Sequence, residues 1–422
     1  MTTQHKNWAG NLEYQAARLH SPTTLEQVQA LVKASRKIKA LGTRHSFNRI
    51  ADTEHDHLSL SHLNHIVALD REQHTVIVEA GIRYGELAEY LNAEGFALHN
   101  MASLPHISVV GACATATHGS GDRNGNLATA VSALEMVTAE GEIRALSRQD
   151  ADFAGAVVGL GGLGVVTQMT LDIVPSFQMR QDVYVNLPRT QMDAHFEEIF
   201  SSAYSVSLFT TWQTSAFAMI WLKSRVDANA TFWGQDDFYG AARATMPMSP
   251  IAAAPVEPCT QQMGVEGSWN ERLPHFRMNF MPSFGEELQT EYFVPRHHAP
   301  VAFARIHALG DIIAPHLLIS EIRTIAVDDL WMSPCYGQAC VAIHFTWKQD
   351  WAAVQNVLPV IEAQLQPFAV RPHWGKLFTL SADYVASCYE KMPDFQRLLR
   401  DADPTGKFRN AFLDQYIFTG GA

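Results

Sequence analysis

Cysteine is scarce and scattered: Cys113, Cys259, Cys335, Cys340 and Cys388 are the five in 422 residues. An odd count with no Cys-x-x-Cys pair argues against a disulfide framework and gives no support to a zinc ribbon or a thioredoxin-like centre. Long hydrophobic runs are also missing. No segment approaches the roughly 18 uninterrupted apolar residues of a membrane-spanning helix. The longest candidate, Val157 to Val166, is short and dense in glycine. Positive charge is in deficit, with 31 Lys and Arg against 43 Asp and Glu and a net charge of −12. A nucleic-acid partner or a polybasic membrane anchor is therefore not expected. Charged residues make up only 18% and hydrophobic residues 47%, a balance that suits a large buried core and excludes a disordered or fibrous chain. The first ten residues lack a charged stretch followed by an apolar one, so no secretory signal is expected. These absences together predict a reduced, soluble, cytoplasmic protein.

A soft prior of roughly 150 residues per domain gives two or three domains. Residues 23–34 place Leu25, Val28, Leu31 and Val32 at helical spacing behind Thr23 or Thr24 as a cap. Strands are expected at 38–42, 75–80, 131–138 and 165–174, with helices at 84–92 and 151–158. This alternation suggests an α/β or α+β first part. After about residue 175 the pattern turns β-rich, with strands at 183–187, 205–211 and 217–222. Four prolines within 245–259 predict a long surface excursion. Helices are expected at 299–313, 351–365 and 382–399, and strands at 317–326, 340–347 and from 371. No internal repeat is present.

Gly159-Leu-Gly161-Gly-Leu-Gly164 satisfies the dinucleotide pattern G-x-G-x-x-G. That fingerprint works when a strand precedes it and a helix begins within it. Here the order is reversed, so the glycines are read as a tight turn or a close approach to a ligand. Leu41-Gly-Thr-Arg-His45-Ser-Phe-Asn48 puts a histidine just after a glycine turn at a strand end. It is either a satisfied loop histidine or one used covalently or catalytically. The run from Ser103 to Gly121 is rich in Gly, Ala, Ser and Thr, which leave peptide N–H groups and hydroxyls uncovered along a path that a diphosphate can follow.

These segments resemble the flavin-binding domain of the vanillyl-alcohol-oxidase superfamily. The chain as a whole, from about residue 7 to about 415, is similar to the alditol (xylitol) oxidases within it. Asn7-Trp-Ala-Gly-Asn11, Gly42-Thr-Arg-His-Ser-Phe-Asn48, Asn100-Met-Ala-Ser-Leu-Pro-His-Ile-Ser108, Thr117-His-Gly-Ser-Gly121, Gly164-Val-Val-Thr167 and His373-Trp-Gly-Lys376 carry the resemblance. It implies an α+β, two-domain flavoprotein of vanillyl-alcohol-oxidase type. The FAD-binding domain would span 1–175 and a substrate domain with a mainly antiparallel sheet 176–370. A C-terminal segment, 371–422, would return to the flavin. It further implies FAD joined covalently through His45, with Ala40, Leu41, Gly42, Thr43, Arg44 and Ser46 wrapping the cofactor. Ser103, Ser108, Gly111, Thr115, Ala116, Thr117, His118, Val166 and His373 match other flavin-contacting positions. Arg44 stands where many alditol oxidases have glycine, a departure that bears on the linkage.

On the substrate side, Glu321-Ile-Arg323 and His344-Phe-Thr346 alternate polar and apolar residues, so each polar pair shares one strand face. Polar groups on otherwise apolar strands are costly to bury unless they meet each other or a polar ligand. A structural Glu–Arg pair would satisfy that condition, and so would a polyol site. The resemblance favours the site, and adds Lys376 and Ser103 to it. The expected reaction is oxidation of the terminal primary alcohol of an alditol to the aldose, with O2 as acceptor and hydrogen peroxide as product. His344 is assigned as the base because imidazole titrates near neutrality. Arg323 and Lys376 would stabilise developing negative charge, and Glu321, Thr346 and Ser103 would orient hydroxyls. A sugar-1,4-lactone oxidase or dehydrogenase of the same superfamily is the alternative. No metal is expected, since Arg296-His297-His298 and His55-Asp56-His57 lack a third ligand at useful spacing. The protein is expected to act as a monomer on a small polyol.

Overall fold

The computed structural model describes residues 6–226, 234–252, 254–280 and 286–418. Residues 1–5, half of the stretch from which the absence of a signal was read, lie outside these. Local sequence accounts for the first elements. Thr24 accepts a hydrogen bond from the Gln27 amide and starts a helix at Leu25–Ala34, whose Val28 and Val32 are buried. Strand β1 (Arg18–His20), strand β2 (Ile38–Leu41) and strand β3 (Asp56–Ser59) form a small parallel sheet in the order β1-β3-β2. A five-stranded antiparallel sheet follows. It contains β4 (Ile66–Asp70), β5 (Thr75–Glu79), β6 (Val131–Val137), β7 (Ile143–Ser147) and β8 (Val165–Asp172), in the order β4-β5-β8-β6-β7. Strict alternation of buried and half-buried residues along β8 shows one face turned to the core.

The β-rich part is one ten-stranded sheet. Its long strands are β9 (Gln178–Pro188), β10 (Ser205–Thr210), β11 (Ala216–Arg225), β12 (Glu287–Pro295), β13 (Leu317–Ile325) and β14 (Cys340–Lys348). They lie in the order β9-β11-β10-β13-β14-β12, and the two-residue strand β15 (Arg371–Pro372) pairs with β12 at one end. Near-continuous burial along β10, β12, β13 and β14 shows that both faces are covered. Helix Trp351–Leu365, with Val354, Leu358, Ile361 and Leu365 buried, contributes to that core.

Three expectations from the sequence need correcting. The helix read at 299–313 breaks into Ala299–His307 and Gly310–Ile313. At Gly310 a Cβ would lie 2.2 Å from the Trp212 carbonyl oxygen, so backbone packs on backbone there. The helix read at 382–399 is two, Ala382–Ser387 and Met392–Ala402, because Pro393 has no N–H to continue the ladder and instead sits in the first turn of the second helix. The described residues of the proline-rich stretch 245–259 are irregular but not purely superficial. Met248 and Ile251 pack on Val183, Phe209 and Trp221, covering apolar residues of the large sheet that would otherwise face water.

Among the described residues no helix is long and apolar enough to cross a membrane. No group of three His, Cys, Asp or Glu there could hold a metal ion, and all five cysteines are free thiols.

Candidate active site

Antiparallel register places Glu321 of β13 opposite His344 of β14, and His344 opposite Glu291 of β12. Phe209 of β10 completes this row across four strands. Alternation puts Arg323, Thr346 and Gln289 on the same face. So many ionisable groups tolerate burial only because they pair with one another. Glu291 Oε1 accepts from Arg323 Nη2 at 2.8 Å, and Oε2 from Lys376 Nζ at 2.6 Å. His118 Nε2 lies 3.2 Å from Oε1. Burial alone would raise the Glu291 pKa, but the charges of Lys376, His118 and Arg323 outweigh it and hold the carboxyl well below its ordinary value. Glu321 is held low in the same manner: burial is overcome by Arg323, whose Nε is 3.5 Å away, and by His275, whose Nε2 lies at 2.7 Å.

Lys376 reaches a second partner: its Nζ lies 2.8 Å from His344 Nδ1, within hydrogen-bond reach. His344 Nε2 lies 3.0 Å from Thr346 Oγ1. Arg323 Nη1 donates to Ser103 Oγ at 3.3 Å. The expectation that His344 titrates near neutrality is overturned. Burial, and then the Lys376 charge, push its pKa down to about 4, so the ring is neutral at physiological pH.

Three separate segments hold these groups in place. Phe47 N donates to Gly375 O at 2.8 Å, and the Asn48 side-chain amide donates to Trp374 O and Lys376 O at 2.8 and 2.7 Å. The His45 turn and the Lys376 turn are thereby one unit. Asn7 and Asn11 clamp the same turn by donating to Ser46 O and Phe47 O, and Trp8 stacks on His45 with ring centroids 5.3 Å apart. Buried Lys223 donates to three successive carbonyls, including those of Leu273 at 2.9 Å and Pro274 at 2.6 Å, which fixes the segment that carries His275.

One cleft of about 770 Å³ runs past this row. It is lined by Ala40, Leu41, Gly42, Thr43, Arg44, His45, Ser46, Ser103, Ser108, Gly111, Thr115, Thr117, His118, Val166 and His373, and by Glu321, Arg323, His344, Thr346 and Lys376. Ala116 is the exception among the residues expected to touch cofactor. It is 1% exposed and joins the main core, because its left-handed φ of 53° turns the Cβ inward while Thr115 and Thr117 face the cleft.

The residues present fit a long anionic cofactor such as FAD. A Cβ at Gly111 would meet Ser108 Oγ at 2.7 Å and one at Gly42 would meet it at 2.9 Å, so the two loops approach closely and leave peptide groups bare. Residues of the glycine-rich motif line the same cleft, with helix Phe153–Val157 before them and β8 after, the reverse of a dinucleotide fingerprint. Lys39, also in the lining and 2% exposed, donates to Leu160 O, Gly161 O and Phe408 O at 3.0–3.3 Å. Burial lowers its pKa to about 7, with Asp403 and Asp414 opposing. A bound diphosphate would favour its charged form.

Sequence reasoning missed Glu291, Gln289, His275 and Lys39. Glu287-Leu-Gln289-Thr-Glu291 shows the same period-two pattern as Glu321-Ile-Arg323, a signal that would have put Gln289 and Glu291 on one strand face. His275 sits in irregular chain and Lys39 on an otherwise apolar strand, and neither carries a local signature.

Arg44 holds φ at 65°, a conformation that costs a residue with a Cβ roughly 1–2 kcal/mol. Arg44→Gly is therefore expected to leave stability unchanged or raise it by up to about 1 kcal/mol. A fall in Tm on thermal denaturation of this variant would show that the Arg44 side chain is itself stabilising.

A family model described as an FAD binding domain matches residues 16–147, and one described as D-arabinono-1,4-lactone oxidase matches residues 239–416. Among solved structures, glucooligosaccharide oxidase from Acremonium strictum, with a 6-S-cysteinyl, 8α-N1-histidyl FAD, superposes with a TM-score of 0.75 at 15% identity. That match covers 98% of this chain and 94% of the other, and shows a shared fold. An L-gulono-1,4-lactone dehydrogenase of Mycobacterium tuberculosis is a distant relative, 26% identical over 97% of this chain and 98% of its own. The alditol oxidase of a Streptomyces species is 46% identical over 98% of this chain and 99% of its own. Identity at that level across both chains, on a fold whose cleft fits FAD, establishes that this chain belongs to the alditol oxidase family of FAD-dependent oxidoreductases.

Proposed function

We propose that the cleft oxidises the terminal primary alcohol of an alditol, of the xylitol or sorbitol type, to the aldose. The observation that carries this reading is the charge balance of the row. Glu291 and Glu321 are ionised, Arg323 and Lys376 oppose them, and His344 is neutral. A site that is already neutral and rich in donors and acceptors suits a neutral polyhydroxy substrate better than an acid or an amine. FAD, when bound, accepts the hydride from the alcohol carbon and returns its electrons to O2, giving hydrogen peroxide.

The protein's part is to bind, orient and move a proton. Ser103, Thr346 and Glu321 orient hydroxyls, and Arg323 and Lys376 stabilise negative charge as the alcohol proton departs. His344 Nδ1 faces Lys376 rather than open cleft. The alcohol proton therefore passes to Lys376 Nζ as Nζ hands one of its own to His344 Nδ1, so the base acts through the lysine. His45 is the site of covalent FAD attachment, and Ala40–Ser46, Ser103, Ser108, Gly111, Thr115, Thr117, His118, Val166 and His373 hold the cofactor. The division at 1–175, 176–370 and 371–422 matches these roles: the first part holds FAD, the second carries the row, and the third returns Lys376 to it. The protein acts as a monomer on this reading, and five free thiols suit a reducing cytoplasm.

Peroxide formation in air with xylitol, but not with a sugar 1,4-lactone or without substrate, is the expected result; turnover of the lactone alone would select the alternative of a lactone oxidase. His344→Ala is expected to slow anaerobic flavin reduction by saturating xylitol about 10²-fold or more. An unchanged rate would remove His344 as proton acceptor.

A further inference from the structure

Glu291 takes no direct part in the reaction as proposed, yet it is the most connected group in the row. It is 1% exposed and lies against Lys376, Arg323 and His118, with His344 Nδ1 3.8 Å away. Its two oxygens divide the cations: Oε1 takes Arg323 and Oε2 takes Lys376. An ammonium has no lone pair, so every bond that Lys376 Nζ makes as a cation is a donation. Its contact with His344 Nδ1 then requires a lone pair on Nδ1, which places the ring proton on Nε2, pointing at Thr346 Oγ1.

We propose that Glu291 is a positioning residue that pins Lys376 as the ammonium and, through it, pins His344 in the tautomer protonated on Nε2. The proposal rests on the functional reading only for its effect on turnover, because the tautomer exists without substrate. It explains why a carboxylate is buried at the centre of the site, between two cations. Without it, Arg323 and burial would both drive Lys376 towards the neutral amine. A neutral amine can accept a proton from Nδ1, so the ring could turn its bond round and the order of the relay would be lost. Every charged or titratable group facing Lys376 enters this balance: Glu291 from β12, Glu321 and Arg323 from β13, His344 from β14, His118 from the 115–121 segment and His373 from its own. Glu291 is the carboxylate in direct contact.

The test is 15N-histidine NMR of the FAD-loaded enzyme without substrate, with His344 assigned by the signal lost in His344→Gln. The expected result is a neutral ring with its proton on Nε2 at about pH 7 to 9. Glu291→Gln, which keeps the shape and removes the charge, is expected to show mixed tautomers at the alkaline end. Its rate of flavin reduction by xylitol is expected to fall about tenfold from pH 7 to 9, where the wild type stays nearly level. Glu291→Asp should restore the flatter profile. A wild-type His344 protonated on Nδ1, or a Glu291→Gln enzyme with the wild-type tautomer and a uniformly lowered pH profile, would overturn the proposal. If Glu291→Gln does not fold, the wild-type spectrum decides. If xylitol fails to reduce the flavin while the Nε2–H tautomer depends on Glu291 as stated, the functional reading falls and the positioning role is upheld.

Discussion

Lys376→Ala is expected to slow anaerobic reduction of the bound flavin by xylitol about 10²–10³-fold, the range seen when one preorganised donor is removed from a site of developing charge. Lys376 links three things that no other described side chain links: the buried carboxylate of Glu291, the Nδ1 of His344 and the open cleft. Arg323 cannot take over, because its Nη2 is committed to Glu291 and its Nη1 to Ser103. The loss also leaves Glu291 with Arg323 as its remaining permanent cation. Breaking a buried ion pair on one side costs about 3–5 kcal/mol, so a lower Tm should accompany the lower rate. Stopped-flow reduction within about threefold of wild type would sink the assignment, since a group worth 10²-fold cannot be lost that cheaply.

The second large effect is all-or-none. His45→Ala is expected to give a colourless pellet on acid precipitation where the wild type gives a yellow one. The His45 ring lines the cleft, stacks on Trp8 and meets Thr43 Oγ1 at 3.0 Å from Nδ1, so it is fixed rather than mobile. Burial, then the neighbouring His106, bring its pKa down to about 4. The ring is therefore neutral at pH 7 and keeps the lone pair that a covalent bond requires. A pellet that stays yellow in the alanine variant would place the attachment elsewhere, and a colourless wild-type pellet would show that the chain binds FAD without a covalent bond.

Much of the molecule is legible in the sequence because its signals are local. The helix at Leu25–Ala34 follows from a cap and a periodic face, and β8 from strict alternation. Breaks were harder to read. The 299–313 helix breaks just before Gly310, where a distant carbonyl, that of Trp212, leaves no room for a Cβ. The 245–259 stretch turns inward because the sheet offers Met248 and Ile251 an apolar face that the prolines do not advertise. Ala116 carries the small-residue signature of its neighbours, and only its left-handed backbone turns it away from the cleft.

The candidate site divides along the same line. Period-two alternation within one strand was enough to pair Glu321 with Arg323 and His344 with Thr346 on shared faces, since a strand's faces are set by its own geometry. Charge and cysteine content were enough to disfavour polyanion partners and disulfides. Which strands neighbour each other was not encoded locally. Register between β12, β13 and β14 brings Glu291, His344 and Glu321 into one row, and the chain's return at 371–376 delivers Lys376 between the first two. That meeting sets the protonation of the site, holding Glu291 ionised and His344 neutral. A pKa depends on burial and on charges within a few ångströms, and residues separated by tens to hundreds of positions acquire both only when the sheet has formed.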